Sequence, residues 1–290
     1  MFSPFGDDHF FVNDYLRPTP PRGGSSLPDL INQGLKVPLK PQPRKIRSPR
    51  PDCLQEKWAL RLILEVIKAD FFATNCWIFA PDKGSECFIV DPGMAIPDLV
   101  GPISQVLERH NLKPIATVVT HGHLDHTFSV APLDERYGLD TYIHPKDREF
   151  LENPQGILTP GGPTIPILEE MGITSFKEPR SIRELTHGVT FEIAGFSLKA
   201  LHAPGHTPGS TVFIVDDEFL ISGDVLFQNS IGNTSLRLGS ASDMKKSIRN
   251  VILPLDDELI VLPGHGPETT IGRERKNNDY LQERFLRSDD

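Results

Sequence analysis

The chain has 290 residues with 38% hydrophobic, 24% charged and a formal net charge of −9, values of an ordinary soluble protein large enough to bury a core. Its acidic body has no long Lys/Arg stripe to hold a phosphate backbone, and no window approaches the roughly 20 apolar residues of a membrane span. Neither nucleic acid nor a membrane is therefore an expected partner. Cys53, Cys76 and Cys87 lack CxxC spacing and suggest neither a disulfide framework nor a thiolate zinc site, and without a secretory or transit-type N-terminus the expected compartment is the cytoplasm.

In chain order, residues 1–51 hold ten of the 27 prolines and carry a net charge of +4, leaving −13 on the rest. Few apolar positions there are periodic, so residues 1–52 read as a Pro-rich, disordered N-terminal arm, free to contact another subunit or to lie over the site. Residues 53–290 read as the folded domain. From Leu60 onward, short apolar runs bounded by turn residues predict strands at Leu60–Val66, Phe71–Phe79 and Cys87–Val90. Leu99, Ile103, Val106 and Leu107 recur at helical intervals within Ile96–Asn111, and a strand follows at Ile115–Thr120. Further strands are expected at Tyr142–His144, Val189–Ile193, Phe196–Ala203, Thr211–Val215, Phe219–Gly223 and Leu259–Leu262. Helical segments are expected at Pro145–Glu152, Ile167–Met171, Ala241–Val251 and Gly272–Leu286, with a Gly/Pro-rich stretch at Asn153–Pro166. Two batches of strands, each followed by helices, predict an α/β sandwich of two sheets covered by helices.

The chemistry concentrates in Thr120-His121-Gly122-His123-Leu124-Asp125-His126, directly after a strand. Three imidazoles and a carboxylate in six residues repel one another when protonated, and a metal ion resolves this by holding them neutral. Imidazole and carboxylate ligands without a thiolate fit zinc, with iron or manganese as alternatives. Ligand-type side chains recur at later strand ends: His206 in PGHTPGS, Asp224 in SGD and His265 in PGHG, each among glycines that let the backbone approach a metal. His9, His110, His144, His187 and His202 lack such context, and Asp134, Glu135, Asp216, Asp217 and Glu218 read as solvated turn residues.

The ordered set of Asp91-Pro92-Gly93, HGHLDH, PGHTPGS, SGD and PGHG resembles the metallo-β-lactamase superfamily over about Leu60–Leu286. The resemblance implies an αββα sandwich of two mixed sheets flanked by helices, and makes residues 53–290 a hydrolase domain. It implies two divalent metal ions, most simply Zn2+, with His121, His123 and His206 on one, Asp125, His126 and His265 on the other, and Asp224 bridging them. Asp91 would orient the cluster. Asp125 and Asp224 would serve catalysis around a hydroxide held between the metals. Within the superfamily, Asp224-Val225-Leu226-Phe227, Gly232-Asn233-Thr234-Ser235 and the run from Pro263 to Gly272 followed by Glu274-Arg275 look like the glyoxalase II-like branch of short bacterial type, which implies a small-molecule thioester substrate of the S-hydroxyacylglutathione kind. Asn233 and Ser235 depart from the Arg and Asp usual in that loop, and the C-terminal helical domain that grips glutathione in full-length relatives has no counterpart. Arg237, Lys245, Arg273 and Arg275 are the residues that an anionic thiol carrier would call on. The alternatives on the same scaffold are a persulfide dioxygenase with a single iron, whose final His sits in a PAH-type context rather than PGHG, and a lactone hydrolase. A β-lactamase and a non-catalytic interaction module are less favoured, because no secretion signal and no lost ligand are visible.

Overall fold

The computed structural model describes residues 62–158, 162 and 164–287; the expected disordered arm over 1–52 lies outside them, as does the domain boundary at residue 53. The described residues fall in one compact unit, Arg61–Asp290. The first sheet is formed by β1 (Ile63–Lys68), β2 (Asn75–Ala80), β3 (Glu86–Val90), β4 (Lys113–Val118), β5 (Asp140–Ile143) and β6 (Ile182–Glu184), paired in that order. The second, β7 (Thr190–Ile193), β8 (Phe196–His202), β9 (Thr211–Val215), β10 (Phe219–Gly223), β11 (Ile260–Pro263) and β12 (Thr269–Thr270), is likewise ordered as in the chain. Both are mixed: β3 to β6 run parallel and β1 to β3 antiparallel, while β10 and β11 form the one parallel pair among the described strands of the second sheet.

Strand periodicity explains why the sheets stack. Successive side chains point to opposite faces, so β2 sends Cys76, Ile78 and Ala80 outward and Phe79 inward. The outward set meets Ile103, Val106 and Leu107 of α1 (Val100–His110). Between the sheets, Phe79 stacks on Phe88 at 4.8 Å and meets Phe196 and Phe219 edge-on at 5.8 Å each. Such aromatic pairs add roughly 0.5–1.5 kcal/mol each beyond the apolar area they bury. On the far side, Val212, Leu220 and Val261 pack under Met244 of α5 (Ala241–Ser247) and Ile271 of α6 (Ile271–Asn277). The result is the expected αββα sandwich. Two short helices, α2 (Leu124–Thr127) and α3 (Val130–Tyr137), follow β4, and α4 (Thr164–Glu170) and α7 (Glu283–Leu286) complete the set among the described residues. None of these helices is long and apolar enough to cross a membrane.

Four expectations require correction. Phe71–Phe79 is not one strand: Phe72 and Ala73 adopt positive φ, and the turn aims the Phe72 carbonyl at His265 before β2 begins at Asn75. Asp134 is not on a solvated turn. It lies buried on α3, where its carboxylate accepts bonds from Arg180 and from the Leu139 amide. The helix expected over Gly272–Leu286 breaks at Asn278, whose side chain accepts from the Tyr280 amide and donates to Glu274 and to the Ser230 carbonyl. The helix expected over Ala241–Val251 widens after Ser247 into a π-helical turn, Ile248–Ile252.

Cys76 and Cys87 are free and buried on β2 and β3. Burial pushes the Cys87 thiol up to about 12 and raises Cys76, where the Asp91 carboxylate adds to the effect. In a Cys53→Ser variant, the folded protein at pH 8 is expected to leave both thiols unlabelled by Ellman's reagent, with both titrating after denaturation. Rapid labelling of the native state would contradict this packing.

Candidate metal centre

The site lies where β3, β4, β8, β10 and β11 end, since each strand delivers one motif into the loop beyond its carboxyl end: Asp91, His121 to His126, His206, Asp224 and His265. The glycine at position 264 is required by proximity, because a Cβ there would enter the contact distance of Asp224 Oδ1 and lie 2.6 Å from His126 Cε1. Asn75 at the start of β2 pins this last loop by donating to the Pro263 and Gly266 carbonyls at 3.0 and 2.9 Å.

The hydrogen bonds fix most of the ring tautomers. The Thr120 hydroxyl donates to Asp91 Oδ2 at 2.7 Å, so it must accept from His121 Nδ1–H at 3.0 Å. His126 donates Nδ1–H to Asp91 Oδ2 at 3.0 Å, His206 donates to the Asn233 carbonyl at 2.9 Å, and His265 to the Phe72 carbonyl at 3.0 Å. Each of these four rings is therefore left with an Nε2 lone pair turned inward, and His123 presents Nδ1. His123 Nδ1 lies 2.8 Å from His206 Nε2, and His126 Nε2 lies 3.2 Å from His265 Nε2. Facing lone pairs at these distances repel unless a cation stands between them. His121 Nε2 and Asp224 Oδ1 are buried without a hydrogen-bond partner, which leaves two further donor atoms for a cation.

The seven expected residues are brought together. His121, His123 and His206 form one cluster and Asp125, His126 and His265 a second, with the donor atoms of each within 4.8 Å of one another. Asp224 reaches both: Oδ1 lies 3.4 Å from His126, and Oδ2 lies 3.4 Å from His206 and 3.5 Å from His265. Asp91 also lies near His121 and His126. Its oxygens are occupied by the Thr120 amide and hydroxyl and by His126, so it orients the ring and is not counted as a ligand.

Burial and neighbouring imidazoles drive His121 well below its ordinary value and His123 down to about 3. Burial also pulls on His126 and His265, but Asp224 and Asp125 outweigh it and hold His126 above, and His265 well above, the usual imidazole range. A cation bound at Nε2 needs that nitrogen unprotonated, so any proton that the carboxylates hold on either ring must leave as the metal enters. Metal uptake is therefore expected to release protons and to weaken as pH falls. Calorimetric titrations in buffers of different ionisation enthalpy read the proton count directly; proton uptake would contradict the charge balance.

Several contributors lie outside the seven ligand-type positions. Thr74 donates to Asp125 Oδ2 at 3.0 Å. Buried Asp147 accepts from both histidine-bearing loops. Glu274, also buried, accepts from Thr269 and from the Asn229 amide, tying the loop after β10 to α6. Thr74 and Asp147 are polar residues in ordinary sequence surroundings, and only long-range pairing gives them a role. Ser210 is buried and caps its own loop by accepting from the Thr207 amide at 3.0 Å. His202 stacks on His144 at 4.0 Å, beside the centre and not in it. Asn233 offers its backbone carbonyl to His206 while its side chain accepts from the Ser235 amide, so the departure there leaves the metal-facing groups intact. Of the candidate anion-binding residues, Arg273 is engaged by Glu274 and Asn229, Arg275 by Asp257 and the Leu253 and Leu255 carbonyls, and Lys245 lies buried with its ammonium over the Phe285 ring.

A family model described as Metallo-beta-lactamase superfamily matches residues 69–265, which takes in all seven residues. The chain belongs to the metallo-beta-lactamase superfamily. Members of this superfamily are hydrolases that bind divalent metals, and His/Asp clusters able to hold such ions are present here. Among superfamily relatives, the chain is 38% identical over 228 residues to an uncharacterised protein of Mycobacterium tuberculosis, covering 76% of this chain and 98% of the relative. It is 33% identical over 221 residues to the hydroxyacylglutathione hydrolase GloC of Haemophilus influenzae, covering 75% and 97%. Among solved superfamily structures, the BLEG-1 B3 metallo-beta-lactamase shares 35% identity at a TM-score of 0.65, covering 76% of this chain and 99% of that one.

Proposed function

We propose that the protein is a two-metal thioesterase that cleaves S-hydroxyacylglutathione-type thioesters. The observation that carries this reading is the inward convergence of five imidazole lone pairs and two carboxylates, a donor set without a thiolate that suits two zinc ions, with iron or manganese as substitutes. Similarity to GloC over nearly its whole length supports the thioester class. Bound divalent ions would supply hydroxide at neutral pH and polarise the scissile carbonyl.

The chain's own groups do the rest. Asp91, Thr120 and the Asn233 and Phe72 carbonyls fix four rings so that each presents Nε2. Thr74 holds Asp125 with Oδ2 beside the His265 ring at 3.3 Å, where the carboxylate can orient the attacking nucleophile. The thiolate is a good leaving group and needs little help from an acid. Unpaired, buried Cys76 and Cys87 suit a reducing, cytoplasmic compartment.

Similarity to BLEG-1 favours a second reading, the cleavage of a β-lactam amide by the same centre. An anaerobic assay of thiol release from S-D-lactoylglutathione beside nitrocefin hydrolysis separates the two. Thiol release with nitrocefin turnover at least about 100-fold weaker in kcat/KM is expected, a difference of roughly 2.7 kcal/mol in transition-state binding. Nitrocefin turnover without thiol release would replace the thioesterase reading. Oxygen uptake on glutathione persulfide would indicate the dioxygenase.

A further inference from the structure

We propose that Asp147 is the positioning residue of the three-histidine subsite: its buried carboxylate sets the spacing between the loop bearing His121 and His123 and the loop bearing His206, and through that spacing the metal affinity of this subsite. The inference rests on the two-metal reading above. Asp147 is fully buried. Its Oδ2 accepts from the Gly122 amide at 2.8 Å and the Thr207 hydroxyl at 2.6 Å, and its Oδ1 accepts from the Gly209 amide at 2.6 Å. Gly122 lies between His121 and His123, and Thr207 directly follows His206, so one side chain joins two segments from different sheets. The fit is close on both sides. A Cβ at Gly209 would collide with the Asp147 carboxylate, and one at Gly122 would approach the Asp147 carbonyl oxygen at 3.1 Å.

Two backbone amides and a hydroxyl aimed at one point need an acceptor-only group, and an ionised carboxylate is one. The contact that this bridge spans is the 2.8 Å separation of His123 Nδ1 and His206 Nε2. The other cluster is held by different partners: Asp125 by Thr74, His126 by Asp91 and His265 by the Phe72 carbonyl. Loss of the Asp147 bridge therefore acts on one subsite. Asp147→Asn keeps the volume but turns an NH2 toward at least one donor. Outer partners of this kind are typically worth 10–100-fold in metal affinity.

The test is a cobalt(II) titration of the metal-free full chain, followed by visible absorption against a competing chelator, in His265→Ala and His206→Ala backgrounds that isolate each subsite. With Asp147→Asn added, affinity in the His265→Ala background is expected to fall about 10–100-fold, and in the His206→Ala background to change less than about 2-fold. Thr207→Val is expected to act in the same direction and Thr207→Ser to restore binding. That pair decides the matter if Asp147→Asn lowers the melting temperature enough to unfold the metal-free protein. Equal weakening of both subsites, or of neither, would overturn the proposal. If the unmutated chain takes up fewer than two cobalt ions, the two-metal reading fails and the proposal fails with it, which is a separate outcome.

Discussion

Asp224→Ala is expected to lower kcat/KM for thioester hydrolysis by about 10³-fold or more and to reduce the bound metal to one ion per chain or fewer. Asp224 is the one carboxylate among the described residues that faces His126, His206 and His265 together, at 3.4 to 3.5 Å. It sits at the end of β10, 8% exposed, with Oδ1 lacking a hydrogen-bond partner. The neighbouring His265 and His126 charges, prevailing over burial, hold its carboxyl well below the usual carboxylate range, so it is ionised throughout the working pH range. Removing this charge leaves imidazole nitrogens facing one another with less to balance a cation between them. Asp224→Asn separates charge from volume. If charge is what matters, the amide variant behaves like alanine in metal content and in rate, whereas near-native rates for Asn would refute the bridging role.

Gly264→Val is expected to remove both metal and activity while leaving the sheets folded. The backbone at position 264 is not left-handed, so the lesion is one of space alone: the new Cβ enters Asp224 Oδ1 and lies 2.6 Å from His126 Cε1. Overpacking of this kind costs about 1–3 kcal/mol, and a displacement near 1 Å in a reacting group costs roughly 10²-fold in rate. Circular dichroism with elemental analysis and thiol-release kinetics checks all three parts. A variant that keeps two ions and more than a tenth of the rate would show that this loop can retreat, against the restraint supplied by Asn75 and Trp77 on the Pro263 and Gly266 carbonyls.

Most of the layer architecture is legible in the sequence because apolar runs on β2, β3, β8, β9 and β10 are short, bounded by turn residues and rich in Phe, Ile and Val. The seven ligand-type residues are legible because they cluster in sequence and recur after strands. What escapes is held by tertiary pairing. β6 spans three residues, Ile182–Glu184, and exists only because β5 lies beside it. Asp134 reads as a surface acid until Arg180, 46 residues away, closes over it. Asp147 follows His144 and Pro145 in an unremarkable turn, yet its donors lie 25 and 60 to 62 residues away. The turn at Phe72 and Ala73 opposes the strand propensity of its aromatic residues, and it persists because the Phe72 carbonyl is needed by His265.

The most direct test of the two-metal centre is elemental analysis of the freshly purified full chain by inductively coupled plasma mass spectrometry. About two divalent ions per chain, chiefly zinc or a mixture with iron or manganese, is the predicted result, in keeping with seven donors split between two clusters and a carboxylate shared by both. A single iron per chain in active protein would contradict it.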